Sequence, residues 1–146
     1  MIETDSITMA DIEPARPHAA AQAAIQEWHR IVAALDWDRV PDLLADCIVY
    51  RNPATIDSHH GKATMVAIMR TVFGVMQDFK YHRHFARGTG YVLEFSARVG
   101  DAGVFGVDLV EFDAHGKIID FMVMMRPASA VLALAAEAGK RMGATS

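Results

Sequence analysis

Asp108 is the residue whose neighbours along the chain most suggest chemistry. It lies within Gly106-Val-Asp-Leu-Val-Glu-Phe112, followed by Asp113-Ala-His-Gly116 and then Lys117-Ile-Ile-Asp-Phe-Met-Val-Met-Met125. Two runs rich in β-branched, aromatic and thioether side chains around a short glycine-ended turn predict a hairpin. Strand side chains alternate, so Asp108 shares a face with Gly106, Val110 and Phe112, while Val107, Leu109 and Glu111 point the other way. The same alternation puts Ile48, Tyr50 and Asn52, then Leu93, Phe95 and Ala97, then Phe121, Val123 and Met125 on the Asp108 side. In such greasy surroundings a carboxylate loses its hydration, so its pKa rises and the protonated form can donate to a ligand carbonyl. Tyr50 and Asn52 are placed to share that oxygen. A second reading stays open, in which Asp108 bonds a buried donor and only shapes the fold.

Histidines supply further candidates. His82 and His84 stand two apart on an expected strand and so point to one side, and His59-His60 lies in a polar loop. Zinc sites use three or four well-placed ligands. A histidine pair beside Tyr81 and Arg83 on an edge strand reads more simply as solvated or interface surface, and no metal is expected. His84 is retained as a candidate base in the pocket. Cys47 is one residue out of phase with Ile48 and Tyr50, and it is expected to face away from the cavity as a buried structural thiol.

These residues must be positioned by a chain of 146 residues, 52% hydrophobic and 22% charged, an ordinary balance for one soluble globular domain. The net charge of -4 comes with basic residues that are scattered rather than gathered into a stripe, which argues against nucleic acid. One cysteine allows no internal disulfide, and the acidic start (Glu3, Asp5, Asp11, Glu13) does not read as a signal peptide, so a cytoplasmic location is expected. No run approaches the roughly 18 apolar residues of a spanning helix, and no membrane partner is expected.

Residues 1–16 read as a loose arm and 17–142 as one domain. Ala21, Ile25, Trp28, Val32 and Leu35 follow helical spacing after Pro17. A shorter helix is expected through Val40, Leu43 and Leu44, then a strand from Cys47 to Tyr50 that stops at Asn52-Pro53. After the polar loop Thr55 to His60, Met65, Ile68, Met69, Val72 and Phe73 form the apolar stripe of another helix. Four strands follow, Phe79 to Arg87, Tyr91 to Val99, Val104 to Phe112 and Ile118 to Met125, as an antiparallel meander. The last helix, 127–142, is too apolar to stand in water, and it is expected to cover a sheet edge, a pocket mouth or a partner subunit.

This order of elements resembles the nuclear transport factor 2-like superfamily. Asp108-Leu-Val-Glu-Phe-Asp-Ala-His-Gly-Lys-Ile118 is similar to the hairpin of its ketosteroid isomerase and SnoaL-like polyketide cyclase branch, and Asn52-Pro53 with His60-Gly-Lys62 is similar to that branch's first strand and helix start. The resemblance spans about residues 17–126. It implies an α+β fold, with a cone-shaped, curved antiparallel sheet wrapped around a long N-terminal helix and a C-terminal helix added. It also implies roles. The isomerases use an aspartate base and an oxyanion hole of a tyrosine and a protonated aspartate. The protonated aspartate falls on Asp108. The base falls on Asn52, whose amide cannot take a proton from carbon at neutral pH. The tyrosine falls near Trp28, with His29 beside it, and an indole N–H donates but does not relay protons. In the limonene epoxide hydrolases of the same superfamily a carboxylate would fall on Val123.

Two functions follow, and the sequence keeps both, beside a blander third, a structural or regulatory dimer with a dry core and no ligand. One is acid–base, isomerase- or cyclase-type chemistry on an apolar carbonyl-bearing substrate, with Asp108 and Asn52 as candidate catalytic residues. The other is a non-catalytic module that binds an apolar ligand or a partner's segment. Either would use Trp28, Tyr50, His84, Phe95, Val110, Phe121, Val123 and Met125 as ligand contacts, with no cofactor. The opposite sheet face, with Val92, Glu94, Leu109, Met122 and Met124, is expected to form a twofold homodimer.

Overall fold

The computed structural model describes Arg16 and residues 18–144. The arm expected over residues 1–16 therefore lies, apart from Arg16, outside the described residues. Helix α1 runs Ala19–Ala34 and starts where the His18 ring nitrogen Nδ1 accepts from the Ala20 N–H at 3.2 Å. It buries Ala21, Ala24, Ile25, Trp28, Ile31 and Val32. Leu35, expected to extend that stripe, instead closes the helix. It takes a left-handed conformation (φ 54) so that its N–H reaches Ile31 and Val32 carbonyls, which leaves its side chain 61% exposed.

A 3-10 segment, Trp37–Leu43, replaces the short α-helix, and Leu44 opens strand β1 (Leu44–Arg51). The polar loop contains a short strand, β2 (Ser58–His60), which the sequence pattern did not suggest because three residues carry no period. Tyr50 pairs with His59 across β1 and β2. Helix α2 (Lys62–Val75) follows, then β3 (Gln77–Arg87), β4 (Gly90–Val99), β5 (Ala102–Phe112), β6 (Ile118–Arg126) and helix α3 (Ala128–Ala144).

The strands form one curved, open sheet in the order β2-β1-β6-β5-β4-β3. It is not wholly antiparallel. Strand β1 lies parallel to β6, because a helix and four strands intervene before the chain returns beside it. Burial alternates along all of β4 and along β5 from Gly103 onward, so one sheet face is covered by helices and the other is left outward. On the covered face, α1 encloses one core region with Trp28, Phe112, Ile118 and Phe121. Helix α3 encloses a second with Ala97, Val99 and Val104, near the far end of the sheet.

Strand β3 carries two register shifts, between Gln77 and Lys80 and between Tyr81 and His84, the first containing Asp78 at φ 55. The second corrects the expectation that His82 and His84 share a side. Tyr81 pairs with Phe95 and His84 with Leu93, both inward, while His82 turns outward to Ser96 and Phe105.

Gly106 is needed for a different reason. A Cβ there would lie 2.5 Å from the Met124 carbonyl oxygen, 2.7 Å from the Phe95 ring and 2.8 Å from the Met125 side chain. Backbone and two core side chains would have to move together. Gly106→Ala is therefore expected to lower unfolding stability by about 1–3 kcal/mol in urea titration, and an unchanged midpoint would show that the Phe95 ring, the Met125 side chain and the neighbouring strand are not packed this closely.

Candidate functional site

At the middle of β5, two residues beyond Gly106 on the same face, Asp108 sits opposite Leu93 on one side and Val123 on the other. It is 4% exposed and is the one buried charged side chain among the described residues. Its Oδ2 accepts a hydrogen bond of 2.7 Å from the Tyr81 hydroxyl, whose oxygen accepts in turn from Trp28 Nε1 at 2.9 Å. Burial pushes the Asp108 carboxyl up to about 7, and the bond from Tyr81 holds it back from rising further. Burial, and then the nearby Asp108 charge, push the Tyr81 hydroxyl well above its ordinary range, so it stays a donor. The phenol ring is fixed edge-on by Phe79 at 4.8 Å and His29 at 5.0 Å.

Asp108 opens on to a cavity of about 340 Å³. The sheet contributes Tyr50, Phe79, Phe95, Phe121, Val123 and Met125 to its wall. Helix α2 adds Ile68, Met69, Val72 and Phe73, helix α3 adds Val131, Leu134, Ala135 and Ala138, the β1–β2 connection adds Asn52 and Thr55, and β2 adds His59. The volume falls at the lower end of the range for small-molecule sites, and the lining is overwhelmingly apolar with a few polar groups.

Of the residues singled out from the sequence, Asp108, Asn52, Tyr50, Phe95, Phe121, Val123 and Met125 are brought together on this wall. Three are not. Trp28 is fully buried behind Tyr81, tilted on Phe121 with ring centroids 5.3 Å apart, so it supports the wall without reaching the cavity. Val110 is buried in the α1 core, because the first turns of that helix pack over this end of the sheet and leave no space there. His84 is exposed beyond that end, near Tyr91, and cannot act as a base inside the cavity. Asn52 reaches the wall with its amide already engaged. Its Oδ1 accepts from the Ala54 and Thr55 N–H groups, both at 2.9 Å, and its Nδ2 faces His59 Nε2 and Thr55 Oγ1, both at 3.2 Å.

Cys47 does face away from the cavity, but it is exposed rather than buried, since no layer covers the outer side of β1 there. Among the described residues no three histidine, cysteine, aspartate or glutamate side chains gather as a metal site would require. Tyr81 is the residue that the sequence reading missed, having been assigned to a solvated strand. The available signal was the Phe79-x-Tyr81 alternation at the start of β3, in phase with a buried face; His59 left none.

A model of the SnoaL-like domain matches residues 25–121, two thirds of the chain. The chain belongs to the SnoaL-like domain family. It is similar to the crystal structure of a steroid delta-isomerase from Pseudomonas aeruginosa, with 40% identity over 90% of this chain and 97% of that one, at a TM-score of 0.86. It is also similar to a protein with a cystatin-like fold from Silicibacter pomeroyi, 32% identical over 85% of each chain, at a TM-score of 0.76. An LEH-like epoxide hydrolase of M. tuberculosis, 21% identical over 82% of this chain and 92% of that one, shares the fold at a TM-score of 0.61. A comparison with curated proteins returned no match. SnoaL-like domains are a small-molecule-binding family, and the matched segment here carries Tyr50, Tyr81 and Asp108 while α3 lies beyond it. No described helix is long and apolar enough to cross a membrane.

A buried carboxyl whose pKa is raised binds its proton more tightly folded than unfolded. The folded state is therefore favoured at low pH, and stability is lost as pH rises from about 4 to about 7. Asp108→Asn keeps an acceptor for Tyr81 and removes the charge. Its stability relative to wild type is expected to improve by about 2–3 kcal/mol between pH 5 and pH 8, measured by denaturation at both. A pH-independent difference would mean that the carboxyl ionises as easily in the fold as in water.

Proposed function

We propose that this SnoaL-like domain takes an apolar, carbonyl-bearing small molecule into its cavity and performs acid–base chemistry on it, with Asp108 giving and taking the proton. The observation that carries this reading is the position of the one buried charged side chain, on the wall of an otherwise greasy cavity and near its titration point at neutral pH. The 40%-identical relative known as a steroid delta-isomerase supports a rigid, polycyclic carbonyl compound as the substrate class. Tyr50 and Asn52 would orient the substrate, and Trp28 acts through Tyr81. The engaged amide of Asn52, which takes no proton, favours a second reading, a binding module that holds such a ligand unchanged.

Native mass spectrometry of the purified protein is expected to retain a small apolar molecule. With that compound in hand, Asp108→Asn should lose turnover with little loss of binding. A change confined to affinity would select the binding module, and the absence of both bound molecule and uptake of carbonyl compounds would sink both.

The outer sheet face supports a twofold homodimer. Phe85, Phe105 and Met124 are 55%, 43% and 54% exposed there. Arg83 pairs with Glu94, and Arg98 with Asp78, on the same face. Centre-apolar, rim-charged surfaces of this kind suit self-association. Sedimentation equilibrium at micromolar concentration is expected to give twice 16.0 kDa, and a single species at 16.0 kDa would exclude the dimer.

A further inference from the structure

Tyr50 is 3% exposed and lines the cavity, yet among the described residues its hydroxyl has no hydrogen-bond partner. No described polar side-chain atom is sealed from space without a partner. The hydroxyl must therefore open on to the cavity. The same reasoning applies to Asp108. Its Oδ2 is taken by Tyr81, and its Oδ1, with no protein partner, faces the hollow.

The direction of the bonds behind Asp108 is fixed by chemistry. Indole nitrogen can only donate, so the Tyr81 oxygen accepts from Trp28 and its single proton points to Asp108 Oδ2. When the carboxyl is protonated, the proton sits on Oδ1. Two polar atoms of opposite capability thus meet the ligand. Oδ1 can exchange a proton, while the Tyr50 hydroxyl, raised by burial and then by the Asp108 charge, stays a donor.

We infer that Tyr50 supplies the hydrogen bond to the substrate's carbonyl oxygen, and that Tyr81 is a positioning residue that leaves Asp108 Oδ1 as the proton-exchanging atom. The inference rests on the reading of the cavity given above, and it assigns the oxygen-binding part to β1 rather than to the α1 position near Trp28. In the step it implies, carboxylate Oδ1 removes a proton from the carbon beside the carbonyl. The C–H electron pair becomes a C=C bond, and the carbonyl π pair moves to oxygen as an enolate, held by the Tyr50 O–H. Reversal returns a proton to carbon. The other titratable group on the lining is His59 from β2, with His29 of α1 against Tyr81, and α2 and α3 contribute none.

Two probes test this. Affinity for 2-naphthol, a flat phenol whose oxygen mimics an enolate, is read by fluorescence, and deuterium exchange into 2-tetralone in D2O is read by NMR. Tyr50→Phe is expected to fold with undiminished thermal stability, because the hydroxyl has no partner in the protein to lose. It should bind 2-naphthol at least tenfold more weakly and slow exchange by a similar factor or more. Tyr81→Phe should retain exchange, with the pH at which the rate rises moved upward, since the bond that holds the carboxyl down is gone. Asp108→Asn should abolish exchange while keeping 2-naphthol bound. Tyr50→Phe with wild-type affinity and rate, or with a marked loss of stability, would overturn the assignment of Tyr50 while leaving the cavity reading intact. An unshifted profile in Tyr81→Phe would overturn the positioning role. Wild-type protein that neither binds the phenol nor exchanges the ketone would overturn the cavity reading and this inference together.

Discussion

Water normally solvates a carboxylate, and inside this sheet a single hydroxyl stands in for it. Asp108 is tolerated at the centre of β5 because Tyr81 reaches Oδ2 from β3, across the intervening strand, and Trp28 satisfies Tyr81 from α1. One hydrogen bond offsets only part of what burial costs a charge, which is why the group remains poised between its protonated and ionised forms. The first helix, the edge strand of the meander and the central strand are thereby tied to one polar point. Each has its position checked by the other two.

Around that point the cavity persists because its walls are shaped by close approach on one side and small side chains on the other. Gly106 lets Phe95 and Met125 lie against the backbone beside Asp108. Phe79 stacks on Phe95 at 5.0 Å and meets Phe73 edge-on at 4.8 Å, so the aromatic groups hold one another rather than collapsing inward. From α3, Ala135, Ala138 and Gly139 face the space without filling it. A core of uniformly large residues would have closed over Asp108 and left a structural carboxyl with nothing to act on. The apolar first helix of the fold does not fill the hollow either, because Trp28 is spent supporting Tyr81.

The outer face follows another logic. There the pleat carries apolar and charged residues together, with Arg83 paired to Glu94 and stacked over Phe85 at 5.5 Å. The bulge between Tyr81 and His84 decides which β3 residues belong to which face. Without it, Tyr81 and His84 would lie on opposite sides, and the carboxyl would lose either its donor or the surrounding packing.

Alternation along Tyr91 to Val99 and Val104 to Phe112 was legible because period-two burial is a local property, and by itself it places Asp108 on an inner face beside Phe95, Phe121 and Val123. The helical stripes of α1 and α2 and the family resemblance were legible for the same reason, each being carried by neighbours in the chain. The parallel pairing of β1 with β6, the outward turn of His82 and the exposure of Leu35 and Cys47 were not, since they depend on what packs across the gap. Tyr81 is the clearest case. Its partner lies 27 residues on, so the Phe79-x-Tyr81 alternation points to a buried face without naming the carboxyl that the hydroxyl meets there. The amino-acid sequence by itself determined that an acid would be enclosed in an apolar sheet; only the tertiary structure decided which hydroxyl holds it, which oxygen is left over and which tyrosine faces the same hollow, because hydrogen-bond partners are set by distances between elements that the chain brings together only on folding.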